Sequence, residues 1–128
     1  MKVQDLRIGD LVNNGGHILT VHGVHGNGTV CFVVEKDQLC VDSVTVNPIP
    51  LTPEILEMNG FVRWIEGQYV KEYAPKRFLS VEYGYDNGCR TFLKQQTSPS
   101  YVRIGNTNHV HQLQHILWTL GLDAGMKV

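Results

Sequence analysis

Hydrophobic runs are short throughout this chain, and none approaches the length that a membrane-spanning helix requires. Such a helix needs about 20 consecutive apolar residues, whereas polar residues or glycine interrupt every apolar stretch of the 128 residues much sooner. The opening residues, Met1 to Asp5, also lack the apolar segment of a secretion signal. We therefore expect a cytoplasmic protein with no membrane partner.

Cysteine is scarce as well. Cys31, Cys40 and Cys89 are odd in number, and none belongs to a Cys-x-x-Cys pair. Widely spaced cysteines in a cytoplasmic chain are more typical of free thiols than of a disulfide framework or a structural zinc site. We predict free, partly buried thiols and a chain that folds without a metal, since a protein of this length buries about two-thirds of its unfolded surface.

Net charge is low, and catalytic signatures are missing. The formal charge is −1, so no overall positive field attracts nucleic acid. The glycines at Gly15-Gly16 and from Gly23 to Gly28 lie beside strand patterns and match no phosphate-binding loop. The sequence contains no Gly-x-Ser-x-Gly motif. A binding protein is therefore favoured over an enzyme, and no cofactor is expected.

The first 47 residues have the pattern of short strands separated by tight turns. Asn13-Asn14-Gly15-Gly16 is a strong turn signal because Asn and Gly tolerate positive φ. Apolar residues alternate between Val30 and Val34, as on one face of a strand. The change of parity between Val41 and Val44 predicts a bulge or bend near residues 42–43. The pattern favours a small, strongly bent sheet or barrel.

The remaining residues predict a helix, several strands and a final helix. Thr52 can cap a helix that has Pro53 in its first turn, and Asn59-Gly60 supplies a left-handed stop. The chain is therefore expected to be α+β. A β-rich, barrel-like subdomain at residues 1–47 precedes an α-β-β-β-β-α subdomain at residues 48–128, or the two share one compact domain.

The C-terminal helix carries half of the six histidines. Thr107 or Asn108 can cap this helix, and apolar residues such as Leu113 form its core-facing stripe. His111 and His115 are spaced at i and i+4, as metal ligands on a helix can be, but no His-Glu-x-x-His motif and no further ligand accompany them. We predict no metal site on this helix.

The polar residues of the C-terminal helix divide into two candidate sets. His115 and Trp118 lie away from the apolar stripe, and tryptophan is enriched at interfaces, so these two predict a protein contact, with a homo-oligomer as one form of it. Nearer the helix start, a second set is predicted to contact a ligand: His111, Gln112 and Gln114.

Other candidate ligand-binding residues lie on predicted strands. Neutral imidazoles donate and accept hydrogen bonds, so His17 and His22 are candidates for the rim of a site. Aromatic and basic residues alternate on neighbouring strands in the second half, where bases can stack and phosphates can pair. These residues are Tyr83, Tyr85, Arg90 and Arg103.

Three stretches in order resemble a family of small uncharacterised proteins found in phages and prophages of Bacteroides-type bacteria. They are Leu6-Arg7-Ile8-Gly9-Asp10-Leu11-Val12, then Pro48 to Leu56 with Asn59-Gly60-Phe61, and last Val110-His111-Gln112-Leu113-Gln114. The resemblance implies the cytoplasm of a bacterial host cell and brings no activity with it. At His115 the family more often has Asn, which favours His111 and Gln112 as functional residues.

Our leading hypothesis from the sequence is a non-enzymatic, phage-type binding protein. It would sequester a small nucleotide-like ligand or block a host protein. A nucleic-acid-binding accessory protein that uses the basic, tyrosine-bearing sheet is the alternative. A hydrolase or metalloenzyme without a recognisable motif is third.

Overall fold

The chain folds into two units in the computed structural model. The structure describes residues 1–65, 67–85, 88–95 and 101–128, with the side chains of 84, 85, 88 and 95 outside the description. One unit combines Met1–Pro50 with His109–Met126, and the other combines Leu51–Asn108 with Lys127–Val128. The C-terminal helix therefore belongs with the N-terminal strands, whereas the sequence placed it with residues 48–128.

A five-stranded antiparallel sheet forms the first unit, with one helix. The sheet has the order β4-β3-β2-β1-β5, in which β4 and β5 are edges, so it is open and not a closed barrel. Its strands are β1 (Leu11–Asn14), β2 (His17–Val24), β3 (Thr29–Val34), β4 (Asp37–Asp42) and β5 (Val46–Pro48). A 3-10 turn at Ser43–Thr45 separates β4 from β5, which confirms the predicted bend there.

The core of the first unit follows the alternation seen in the sequence at Val30 and Phe32, whereas Val34 is exposed. Its buried residues are Leu6, Val12, Val21, Val30, Phe32 and Val46. The turn between β1 and β2 uses Gly15 and Gly16 at positive φ, and the Asn13 side-chain oxygen accepts a hydrogen bond from the Gly16 nitrogen at 2.9 Å. That turn fixes the β1–β2 register and thus the inward direction of Val12.

The structure corrects the expectation that all three thiols are free. Cys31 on β3 and Cys40 on β4 are direct cross-strand partners, and their sulfurs form a disulfide. The hairpin turns at Glu35 and Lys36, where the sequence indicates a polar turn; both residues have positive φ, a conformation that glycine usually occupies. Disulfides persist in non-reducing compartments, so this bond does not favour the predicted cytoplasmic location. Cys89 is free and buried.

The described residues of the second unit form a short helix and five antiparallel strands. Helix α1 (Pro53–Met58) begins as predicted, with the Thr52 hydroxyl accepting a hydrogen bond from the Ile55 nitrogen at 3.3 Å. The sheet has the order β10-β9-β8-β7-β6, one strand more than the predicted α-β-β-β-β-α. The strands are β6 (Val62–Ile65), β7 (Gln68–Ala74), β8 (Arg77–Tyr85), β9 (Gly88–Gln95) and β10 (Tyr101–Asn106).

The second helix, α2 (Val110–Thr119), packs against β1 in the first unit. Of the predicted stripe, Val110, Leu113 and Leu117 are buried, whereas Ile116 and Leu120 are only partly buried. The α+β class is thus confirmed. No helix in the described part of the chain is long and apolar enough to cross a membrane.

Candidate ligand-binding pocket

The start of α2 is anchored to the first unit by backbone hydrogen bonds. The Val110 nitrogen donates to the Ile49 oxygen at 2.9 Å, and His109 forms an isolated β-bridge with Pro50. The Gln112 side-chain oxygen accepts a hydrogen bond from the backbone nitrogen of His109 at 3.0 Å. The residue that caps the helix is therefore His109. It lies one residue after Asn108 and two after Thr107, the two predicted caps.

Asp10 holds one histidine of α2 in place. Its side chain is only 2% exposed, and the His115 Nε2 atom lies 2.9 and 2.8 Å from its two carboxylate oxygens. The backbone nitrogen of Arg7 donates to the same carboxylate at 2.8 Å. A buried carboxylate with these partners fixes the orientation of the imidazole and the start of β1 together. His115, predicted to lie at an interface, is thus half-buried and internally bonded.

His111 lies between the other two histidines of the helix region. Its ring stacks on His109, with centroids 5.8 Å apart and 14° between planes, and meets the edge of His115 at 5.6 Å. Burial lowers the pKa of His111 below its ordinary value, the nearby Asp10 carboxylate opposes this, and the neighbouring histidines lower the pKa further. His111 is therefore a neutral imidazole near pH 7, with one donor and one acceptor nitrogen.

His109, His111 and His115 line a pocket of about 500 Å³ in the first unit. That volume falls within the range of small-molecule sites. The guanidinium of Arg7 and the carboxylate of Asp5 supply opposite charges at its exposed rim. We call it the histidine pocket; its lining is Met1, Gln4, Asp5, Arg7, Pro48, His109, His111, Gln112 and His115.

One polar atom beside the histidine pocket is unsatisfied. His111 is 4% exposed, and the described part of the chain supplies no hydrogen-bond partner for its buried Nδ1 atom. Leaving a buried polar atom without a partner costs about 1–3 kcal/mol. Such an atom requires an explanation, and a partner that arrives with a ligand is one.

Gln114 has a structural role in this arrangement. Its side-chain oxygen accepts from the Leu11 nitrogen at 2.9 Å, and its amide nitrogen donates to the oxygens of Gly9 and Ala124 at 3.1 and 3.0 Å. All of these partners are protein backbone groups. Gln114 therefore ties α2 to β1 and to the C-terminal segment, and we leave it out of the ligand site that we propose.

Trp118 lines a second, smaller pocket in the first unit. This cleft of about 350 Å³ lies between the turn before β1 and the residues after α2, where Ile8 and Leu122 join Trp118. Trp118 is exposed, as a contact residue has to be. The structure thus separates the predicted pair: His115 lines the histidine pocket and Trp118 does not.

The strand candidates do not join the histidine pocket. His17 and His22 are exposed on β2 and are not among its lining residues.

The remaining candidates lie in the second unit. There the Tyr83 hydroxyl donates to the Leu51 oxygen at 2.7 Å, and burial raises the pKa of Tyr83 far above its ordinary value. Arg103 donates to the Asn106 side chain at 2.6 Å. Arg90 faces Glu82 across β8 and β9, and the Tyr85 side chain lies outside the described residues.

Sequence reasoning missed Arg7 and His109, which line the histidine pocket, and Asp10, which is not in its lining but holds His115. Arg7 and Asp10 lie in the first of the stretches that carry the family resemblance, but nothing in their local pattern links them to α2. His109 was not among the candidate residues. The described residues contain no group of three histidine, cysteine or acidic side chains placed to hold one metal ion.

Comparison of this chain with known proteins finds no matching family model, curated protein or solved structure.

Acidification is expected to destabilise the first unit through His111. The unfolded imidazole takes up a proton near its ordinary pKa of about 6.5, and the folded one only at lower pH. Between these values the unfolded state holds more protons, so the free energy of unfolding falls as pH drops, by at most about 1.4 kcal/mol per pH unit. Above the ordinary pKa the contribution is constant.

Urea unfolding curves between about pH 7.5 and pH 5 measure this slope. We expect His111→Gln to have a shallower slope than the wild type. His17→Gln, which changes an exposed histidine of the same unit, should leave the slope unchanged. Equal slopes in all three proteins would contradict the assignment to His111.

Proposed function

We propose that this chain is a binding protein that holds a small, nucleotide-like ligand in the histidine pocket. The observation that carries the proposal is the unsatisfied Nδ1 atom of the buried His111. A ligand group that forms a hydrogen bond with this atom would remove its desolvation cost and gain affinity from that contact. The pocket volume of about 500 Å³ suits a ligand of this size.

Access to the Nδ1 atom requires a local movement, because the atom is buried. The His109 ring stacks on the face of His111, whereas a hydrogen bond to Nδ1 lies in the plane of the His111 ring. The ligand would therefore reach Nδ1 past the edge of that ring, when the side chains around this edge shift. Rearrangements of this kind, confined to side chains, commonly accompany ligand binding.

The neighbouring groups favour a polar ligand with an anionic part. The Arg7 guanidinium at the rim can pair with a phosphate through two parallel hydrogen bonds. A nucleobase offers ring and amine donors of the kind that the neutral His111 accepts. Asp10 does not act as a free base in this scheme, because both of its oxygens are bonded to His115. Binding without chemistry is therefore the simplest role for the pocket.

The proposal is tested by mass spectrometry of small molecules released from the protein after purification from a bacterial host. We expect wild-type protein and the exposed-site control His17→Ala to release the same nucleotide-like compound. His111→Ala should release it in amounts reduced by at least about tenfold, since one hydrogen bond to a buried group is lost. Wild-type protein that releases nothing would contradict the proposal and would favour a macromolecular partner such as a host protein.

Nucleic-acid binding by the second unit is the second candidate. One observation favours it: the Lys94 ammonium lies 5.5 Å from the ring of the exposed Tyr101, beside a base-stacking surface. Against it, the Tyr83 ring is half-buried and packs edge-on against Tyr69, so it is less available for base stacking. Binding to single-stranded DNA or RNA that weakens steeply with added salt would support this function. If no binding occurs at low salt, the idea is wrong.

A further inference from the structure

The outer edge of β6 is apolar and exposed. β6 is the last strand of the second unit's sheet, and all four of its side chains are exposed. Val62, Trp64 and Ile65 are large hydrophobic residues, and Trp64 is 69% exposed. An edge strand presents a row of backbone N–H and C=O groups to any strand that can pair with it. Apolar side chains along such an edge indicate a contact surface.

We infer that two copies of this chain associate through β6, side by side and antiparallel about a twofold axis. The sequence Val62-Arg63-Trp64-Ile65 is complementary to its own reverse. Val62 would face Ile65 of the second copy, and Arg63 would face Trp64. Apolar residues then meet apolar residues, and a guanidinium lies against an indole, which is a favourable cation–π pair. With a twofold axis each chain uses the same surface in the contact, so no copy of that surface stays free and the assembly ends at a dimer.

A bulge in β6 determines which contacts dominate this interface. The register of β6 against β7 shifts between Arg63 and Ile65, so Trp64 is the extra residue. Bulges at edges shorten any added ladder. Side-chain contacts at Arg63 and Trp64 must therefore supply most of the binding, and the twofold axis repeats each of them. An edge of four residues buries a small area, so the dimer is expected to be weak and concentration-dependent.

Analytical ultracentrifugation of the full chain tests this inference, with Trp118→Ala as the matched control. Trp118 is also exposed, at 54%, but lies on α2 in the first unit. Between about 1 and 200 µM, a range suited to a weak interface, the mass of the wild type and of Trp118→Ala should rise from one chain of 14.4 kDa towards two.

Trp64→Ala should weaken the dimer by at least about tenfold, because two cation–π contacts and two buried indole surfaces are lost. Trp64 is too exposed to be required for folding. Arg63→Glu, a second variant, should weaken it similarly by placing a carboxylate against the indole face. A wild-type chain that stays single, an assembly that grows beyond two, or a dimer that only Trp118→Ala disrupts would overturn the inference. It holds whether or not the histidine pocket binds a ligand.

Discussion

Replacing Asp10 by alanine is expected to lower the free energy of unfolding of the first unit by about 3 kcal/mol. The carboxylate is almost fully buried and accepts hydrogen bonds from the Arg7 nitrogen and the His115 ring. Alanine would leave the backbone N–H of Arg7 and the His115 Nε2 atom without their acceptor. Removal of one partner from a buried or partly buried pair costs more than the pair itself contributes, because the other partner keeps part of its desolvation cost.

Urea unfolding monitored by circular dichroism measures this loss, and two variants serve as controls. Asp5→Ala removes an exposed carboxylate of the same unit and should change stability by less than about 0.5 kcal/mol. Asp10→Asn retains one acceptor oxygen and should have an intermediate effect. An Asp10→Ala protein as stable as Asp5→Ala would show that Asp10 does not hold His115 and β1 together.

Replacing His111 by leucine is expected to separate ligand affinity from stability. The affinity for the compound released from wild-type protein should fall by about tenfold to a hundredfold, as expected for loss of a hydrogen bond in a buried site. Stability should stay the same or rise, because leucine has no buried nitrogen atom without a partner. A site selected for binding tolerates such a local cost, and its removal stabilises the fold.

Isothermal titration calorimetry and urea unfolding give the two quantities for the same preparations. The control is His17→Leu, the same substitution at an exposed position on β2, which should bind like the wild type. If His111→Leu binds with wild-type affinity, the ligand does not use the Nδ1 atom. If it unfolds much more easily, His111 is a structural residue of the core.

The parts of the fold that were predictable depend on signals close together in the chain. Thr52 and Pro53 predicted the start of α1, and Asn13 with Gly15 and Gly16 predicted the β1–β2 turn. Both predictions were possible because helix capping and positive φ are requirements of single positions in the chain. The change of parity between Val41 and Val44 located the bend at Ser43–Thr45 for the same reason.

The histidine pocket depends on contacts between distant parts of the chain, which local patterns do not encode. Asp10 and His115 are 105 positions apart, and the assignment of α2 to the first unit makes their contact possible. Gln114 resembled a ligand contact in the sequence because its backbone partners at Gly9, Leu11 and Ala124 were not visible there. The disulfide was missed similarly, since it follows from the register of β3 and β4.

Imidazole ¹⁵N nuclear magnetic resonance tests the central claim, that a ligand is recognised at His111. Spectra of ¹⁵N-histidine-labelled protein would be recorded with and without the compound released from wild-type protein. We predict that the Nδ1 resonance of His111 shifts as it gains a hydrogen-bond partner, while the resonances of the exposed His17 and His22 stay in place. A bound ligand that leaves the His111 resonances unchanged would contradict the account.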